Sequence, residues 1–204
     1  EEALGQNYCF EIDVVCDSDA LDIMALQHQT ACLTLQNKPQ PRFIHGIVLS
    51  AGHIKTDNHH HHYRFQLAPQ AELLHYRTNQ RIFQQQSVTD IIQEIWQQAG
   101  LNPAALRIQT TRPQPLLTYC VQYGETDLNF LQRLCECYGL FYYFEHTADQ
   151  HTMVVVDGKE HCPKVDPVSY QPDSGQNPDH PVLSQFDWQF TATTEQASVD
   201  EYDF

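Results

Sequence analysis

The sequence predicts a β-rich α+β fold: a small antiparallel β-barrel or sandwich, together with a segment built on two helices. Three observations carry this. The first third of the chain alternates apolar and polar residues with a period of two; two later stretches switch to the 3.6-residue period and each stops on a glycine; and five prolines between Cys162 and Pro181 forbid regular structure there.

Taken in order, Tyr8, Phe10, Ile12 and Val14 share one side of an alternating strand, with Cys9, Glu11 and Asp13 on the other. Asp17-Ser18-Asp19 turns the chain, residues 20–26 offer a helical turn, and Ala31 to Leu35 reads as the next strand, closed by Asn37-Lys38-Pro39-Gln40-Pro41. Arg42 to Ser50 is rich in β-branched and aromatic residues, and Gly46 inside it predicts a bulge or sharp coil. Tyr63 to Leu67 alternates again and stops at Pro69.

Val88, Ile91, Ile92, Ile95, Trp96 and Ala99 fall on one helical face, with Ser87 and Asp90 spaced as a capping box and Gly100 as the left-handed C′ residue. A second helix is predicted from about Thr126 to Tyr138, with Leu128, Leu131, Leu134, Cys135 and Tyr138 as its stripe and Gly139 after it. Leu140 to His146 and Thr152 to Val156 read as a hairpin turning at residues 147–150. Beyond the prolines, Leu183 to Phe190 alternates once more, and Val199 to Phe204 reads as a truncated strand.

The 204 residues are 41% hydrophobic, enough for one sizeable core or two small ones. No stretch nears the roughly 18 apolar residues of a membrane span, and Glu1-Glu2-Ala3-Leu4-Gly5 does not read as a signal peptide. With 26 acidic against 11 basic side chains the formal charge is −15, which argues against nucleic acid and anionic lipid as partners and keeps a β-rich surface soluble. The seven cysteines (Cys9, Cys16, Cys32, Cys120, Cys135, Cys137, Cys162) fit best as reduced thiols packed like small hydrophobes. Cys135 and Cys137 point about 200° apart on a helix and share no metal; the sequence leaves open one disulfide between distant cysteines.

The most conspicuous candidate site is His59, His60, His61 and His62, able in principle to bind nickel, zinc or copper. A run on one hairpin tip lacks a preorganised tetrahedral spacing, so the expectation is a solvated loop with no metal and no cofactor. A metal-dependent hydrolase using this loop is the rival from another class, and a carbohydrate-binding module is a weaker one. No nucleophile elbow, zinc-protease helix, P-loop or dinucleotide fingerprint occurs, so no catalytic residue is nominated. Asp17, Asp19 and Asp22 lack the glycine and glutamate of a calcium loop and read as a capped turn. His146 and His151 flank a turn and are expected to be exposed; Glu125 and Asp127 read as charges complementing a helix dipole.

Two stretches carry a family resemblance. Arg81-Ile82-Phe83-Gln84 leading into Ser87-Val88-Thr89-Asp90-Ile91-Ile92, and Tyr119 to Phe130 running through Arg133-Leu134, Glu136 and Gly139-Leu140 to Tyr142-Tyr143-Phe144-Glu145-His146, resemble the VgrG spike proteins of bacterial type VI secretion. Their N-terminal half is similar to the hub of contractile phage tails. Phe43 to Val48 and Tyr202-Asp203-Phe204 are similar to shorter family stretches. The histidine run and the cysteines at 135 and 137 depart from the family pattern.

The resemblance implies a phage-tail-hub type barrel in residues 1–84, completed by 182–204, with an α+β subdomain inserted at 85–165 and a proline-rich connector at 166–181. It further implies a non-enzymatic hub at the base of a puncturing spike, assembling as a homotrimer. The implied partners are a hexameric Hcp-like tube protein and, through regions outside these residues, a spike tip protein and effectors. It would reside in the bacterial cytoplasm before firing and then be secreted by the machine. The alternative within the same class of machine is the hub of a contractile prophage tail or tailocin, which these residues alone do not separate from a secretion spike.

Overall fold

The computed structural model describes residues 2–17, 21–36, 40–57, 60–164, 167–172 and 182–187. Residues 1–36 and 40–164 form one compact unit, and residues 37–39 and 165–204 a second. In the first unit the alternating segments become strands β1 (Phe10–Cys16), β2 (Thr30–Leu35), β3 (Arg42–Asp57) and β4 (His60–Ala68), with a short helix α1 (Ile23–Leu26) between β1 and β2. They pair antiparallel in the order β1-β4-β3-β2, an open four-stranded sheet among the described residues. One face carries Phe10 opposite Leu67, Ile12 opposite Phe65 and Ile44 opposite Leu33, around a small core of Tyr8, Ile44 and Leu67. The other face of β1 shows Glu11 and Asp13 to solvent, and Arg64 on β4 grips Asp13 with two bonds of 2.7 and 2.8 Å.

One local expectation changes. Gly46 is not a bulge: the ladder shifts lie further on, between Val48 and Ser50 and between His53 and Lys55. Glycine is needed at 46 because a Cβ there would lie 2.6 Å from the Ala68 carbonyl oxygen. Asp22 does form a capped turn, its Oδ1 accepting from the Met24 and Ala25 amides at 3.1 and 3.2 Å.

After Pro69 a 3₁₀ turn over Gln70–Tyr76 leads to β5 (Thr78–Phe83) and β6 (Gln86–Ser87). Helix α2 (Val88–Gln98) follows, then β7 (Leu106–Gln109), β8 (Leu116–Leu117), β9 (Cys120–Thr126), helix α3 (Asp127–Cys137), and the hairpin β10 (Phe141–His146) with β11 (His151–Val156). The predicted capping box is present: the Asp90 amide donates to Ser87 Oγ at 3.2 Å and the Ser87 amide to Asp90 Oδ2 at 3.0 Å. Both helices close in the Schellman pattern, with Leu101 N to Trp96 O at 3.3 Å after Gly100 and Leu140 N to Cys135 O at 2.8 Å after Gly139. In each case the residue after the glycine is a buried leucine, which seals the apolar end of the helix.

The larger core lies between α2, α3 and β11. Ile91, Ile92 and Ile95 from α2, Phe130 and Leu131 from α3 and Val155 from β11 are fully buried, and Phe83 stacks on Phe130 at 5.7 Å. β11 pairs antiparallel with β10 and parallel with β7, which the sequence did not announce because Leu106–Gln109 is too short to alternate visibly. β5 pairs with β9, so the pairing of the helical part begins before residue 85.

In the second unit, β12 (Ser169–Tyr170) pairs parallel with β13 (Val182–Leu183), and the Gln171 amide donates to Leu183 O at 3.0 Å. Of the strand expected over Leu183 to Phe190, Val182–Leu183 is strand and residues 184–187 are not; residues 188–204, including Val199 to Phe204, lie outside the described residues.

Candidate functional site

The histidine run is not a loop. His60, His61 and His62 are strand residues, registered against Asp57, Thr56 and Lys55 of β3, while His59 lies outside the described residues. The β period splits them between two faces. His60 Nδ1 meets Asp17 Oδ1 at 2.5 Å on one side; on the other, His61 Nδ1 and His53 Nε2 both reach Thr56 Oγ1 at 3.1 Å. This alternation prevents the run from converging on one ion.

Asp157, Glu160 and His161 are, among the described residues, the group whose ligand atoms come within 4.8 Å of one another. The Asp157 carboxylate is already engaged by the Arg112 and Thr111 amides at 2.8 and 3.0 Å, which together with the Arg112 charge hold its pKa below the usual carboxylate range against the opposing effect of burial. Its chemistry is that of a loop clasp.

His146 and His151, expected to be exposed, are instead shielded, and His45 joins them. His151 is 4% exposed and His45 6%. His45 Nδ1 lies 3.0 Å from His151 Nδ1, the Gln70 amide donates to His151 Nε2 at 3.0 Å, and the His45 amide donates to His146 Nδ1 at 3.2 Å. Tyr8 Oη donates to the His45 carbonyl at 2.6 Å. A backbone amide only donates, so His151 Nε2 carries a lone pair, its Nδ1 carries the proton, and His45 Nδ1 accepts. Burial pushes His151 down to about 4, reinforced by His45 and His146. Burial also lowers His146 and His45, partly opposed by Glu2 and Asp149 respectively. The reason sequence reading failed here is distance: the groove that buries the turn histidines is supplied by β3, about a hundred residues earlier.

Asp127 was also read too locally. Its side chain is 0% exposed and accepts from Arg77 Nε at 3.1 Å, Asn79 Nδ2 and Gln122 Nε2 each at 2.9 Å, and Arg81 Nη2. Burial alone would raise its pKa; the bonds from Gln122, Asn79 and Arg77 and the charge on Arg81 outweigh burial and lower it. The two resemblance stretches thus meet at one carboxylate, with Arg81 reaching from β5 to the first residue of α3.

Nothing in this arrangement activates a nucleophile. Burial raises Cys120 and pushes Cys135 up to about 12, which keeps both thiols protonated and unreactive. A groove of about 320 Å³ beside α2 is lined by Gln93, Trp96, Gln97, Pro103 and Leu106, none of them ionisable.

What is exposed is apolar strand surface. On the β5–β9 ribbon Ile82 faces Val121 and Gln80 faces Tyr123, with Ile82 and Tyr123 58% and 79% exposed. The outer edges of β1 and β2 are unpaired among the described residues.

The sequence profile of the phage tail baseplate hub (GPD) family matches residues 1–204. The chain belongs to this hub family. Among its relatives, the type VI secretion system spike protein VgrG4b of Pseudomonas aeruginosa is 35% identical over 204 residues, covering 100% of this chain and 25% of that protein. The spike protein VgrG3 of Vibrio cholerae is 33% identical over 197 residues, covering 96% of this chain and 19% of that protein. An Escherichia coli component of the type VI secretion system, described as structurally similar to the phage T4 tail proteins gp27 and gp5, superposes with a TM-score of 0.74 at 20% identity over 85% of this chain and 48% of that one. That likeness shows a shared β-rich α+β fold. This hub-family chain spans a quarter or less of the length of these spike relatives.

Proposed function

We propose that the chain is the hub portion of a trimeric puncturing spike in a type VI secretion machine, a structural part without catalysis of its own. The observation that carries this is the match over 100% and 96% of the chain to spike proteins at 35% and 33% identity. In this reading residues 182–204 complete the open sheet of residues 1–84 into a barrel, residues 85–165 are the inserted subdomain and residues 166–181 the connector. Identical copies then cover what one copy leaves exposed. The apolar ribbon bearing Ile82 and Tyr123 supports that assignment, since such a surface is costly unless filled. The ring docks on a hexameric tube beneath it, and cargo and tip protein attach through regions beyond these residues. The protein waits in the bacterial cytoplasm and leaves through the machine.

The test is to express the longer gene product, measure its mass in solution and mix it with purified tube protein. A trimer that retains the tube protein is expected; a monodisperse monomer that ignores it overturns the reading. A hub of a contractile prophage tail or tailocin is the second reading, favoured by the description of the family itself. Neighbouring genes for a secretion sheath and membrane complex, or for a capsid and tail fibres, separate the two.

A further inference from the structure

We propose that His45, His146 and His151 form an acid-opened latch that holds the four-stranded sheet against the β10–β11 hairpin. The bond between His45 and His151 and the bond from Gln70 to His151 each require a neutral ring. The Gln70 amide occupies the lone pair of His151 Nε2, and the proton on His151 Nδ1 fills the lone pair of His45 Nδ1. A proton added at His45 Nδ1 turns a hydrogen bond of 3.0 Å into two opposed N–H groups. A proton added at His151 Nε2 evicts the Gln70 amide, whereas one added at His146 Nδ1 gives up the His45 amide for the His45 carbonyl, also 3.2 Å away. Protonation of His45 or His151 breaks a bond between elements, and a buried donor stripped of its partner is expensive.

The surroundings do not neutralise the added charge. The N-terminal segment contributes Glu2, whose Oε1 stands 4.0 Å from His146 Nε2, and the Tyr8 hydroxyl, which is spent on the His45 carbonyl. The His146 Nε2 is itself buried without a hydrogen-bond partner. The β10–β11 turn contributes Asp149, which acts on His45, and the start of β3 contributes Arg42, which opposes protonation of His146. β2 places Cys32 opposite His45, and the Gln70–Tyr76 turn offers Glu72, whose Oε2 is taken by Asn7 Nδ2 at 2.8 Å. Among the described residues no carboxylate makes a hydrogen bond to any of the three rings. The contrast with His60 is direct: that ring is half exposed and paired with the Asp17 carboxylate.

The experiment follows amide hydrogen exchange, corrected for intrinsic rates, from pH 7.5 to 4.5, alongside the ¹⁵N shifts of the histidine rings. The latch predicts that the Gln70 and His45 amides lose protection about tenfold per pH unit for each proton taken up. Core amides such as Ile92 and Leu131, which exchange through global unfolding, stay better protected than the joint at every pH in this range. His151 is expected to show a protonated Nδ1 and bare Nε2 at pH 7.5, changing only as the Gln70 amide opens. The variant His45→Asn keeps an acceptor close to the Nδ1 position but cannot be charged, and it should lower the pH slope by about one proton. Constant protection at Gln70 and His45 down to pH 4.5 overturns the proposal, as does an equal slope in His45→Asn or joint amides protected as strongly as the core. Should the variant not fold, the wild-type spectrum still decides, because His151 charging while the Gln70 amide stays protected refutes the latch.

Discussion

Replacing Asp127 with alanine is the most demanding test of the structural account. The substitution leaves the space of a small side chain but strips a fully buried carboxylate from Arg77, Arg81, Asn79 and Gln122. Arg81, with 17% of its side chain exposed, keeps its charge and loses its anion; Arg77, 39% exposed, recovers part of its hydration. Breaking a buried pair from one side costs about 3–5 kcal/mol. In a domain of this size each kcal/mol lowers Tm by roughly 2–4 °C, so a fall of about 6–20 °C is expected. Urea unfolding followed by far-ultraviolet circular dichroism measures the loss directly, provided the slope is unchanged. The acid limb supplies an internal control. The folded pKa of Asp127 is depressed, so its stabilisation is present above the unfolded value near 4 and is lost as pH falls below it. Alanine should therefore flatten the stability profile below about pH 4. A loss smaller than about 1 kcal/mol would show that the four contacts are incidental, because it would fall within the range of an exposed pair.

Three further outcomes can be measured on the same chain. Stability should fall between about pH 6.5 and 4, because His151 is held neutral to about 4 when folded and charges near 6.5 when unfolded; that ring alone accounts for about 3 kcal/mol, and a flat profile across this window contradicts its burial. Gly46→Ala should cost about 1–3 kcal/mol by forcing β3 from β4, whereas Gly52→Ala, with open space around it, should change stability by less than about 0.5 kcal/mol; equal effects would contradict the close approach at Ala68. Ser87→Ala removes the acceptor for the Asp90 amide and should cost about 1 kcal/mol in thermal unfolding; no loss would mean that the cap is redundant.

The helices were legible because their instructions are local. Ser87, Asp90 and Gly100 bracket α2, and Gly139 ends α3, within a few residues of the groups they satisfy. The strands of the first sheet were legible for the same reason, since alternation at Phe10, Ile12 and Val14 reports which face is covered. What escaped was long-range. Asp127 meets Arg77 and Arg81 across about fifty positions, and nothing adjacent distinguishes it from an ordinary helix-start acid. His151 reads as a turn residue until β3 is laid against it. The histidine run misled in another way: its side chains carry no apolar alternation, so only the neighbouring period of Tyr63 and Phe65 reveals that the strand extends back to His60.

All seven arginines have a carboxylate within 4.0 Å: Arg42, Arg64, Arg77, Arg81, Arg107, Arg112 and Arg133 are each matched to an acid of their own chain. With a formal charge of −15, little cationic surface is left to greet an equally acidic neighbour. Identical copies brought side by side would thus repel at low ionic strength. Added salt, by shortening the reach of that repulsion, should tighten their association.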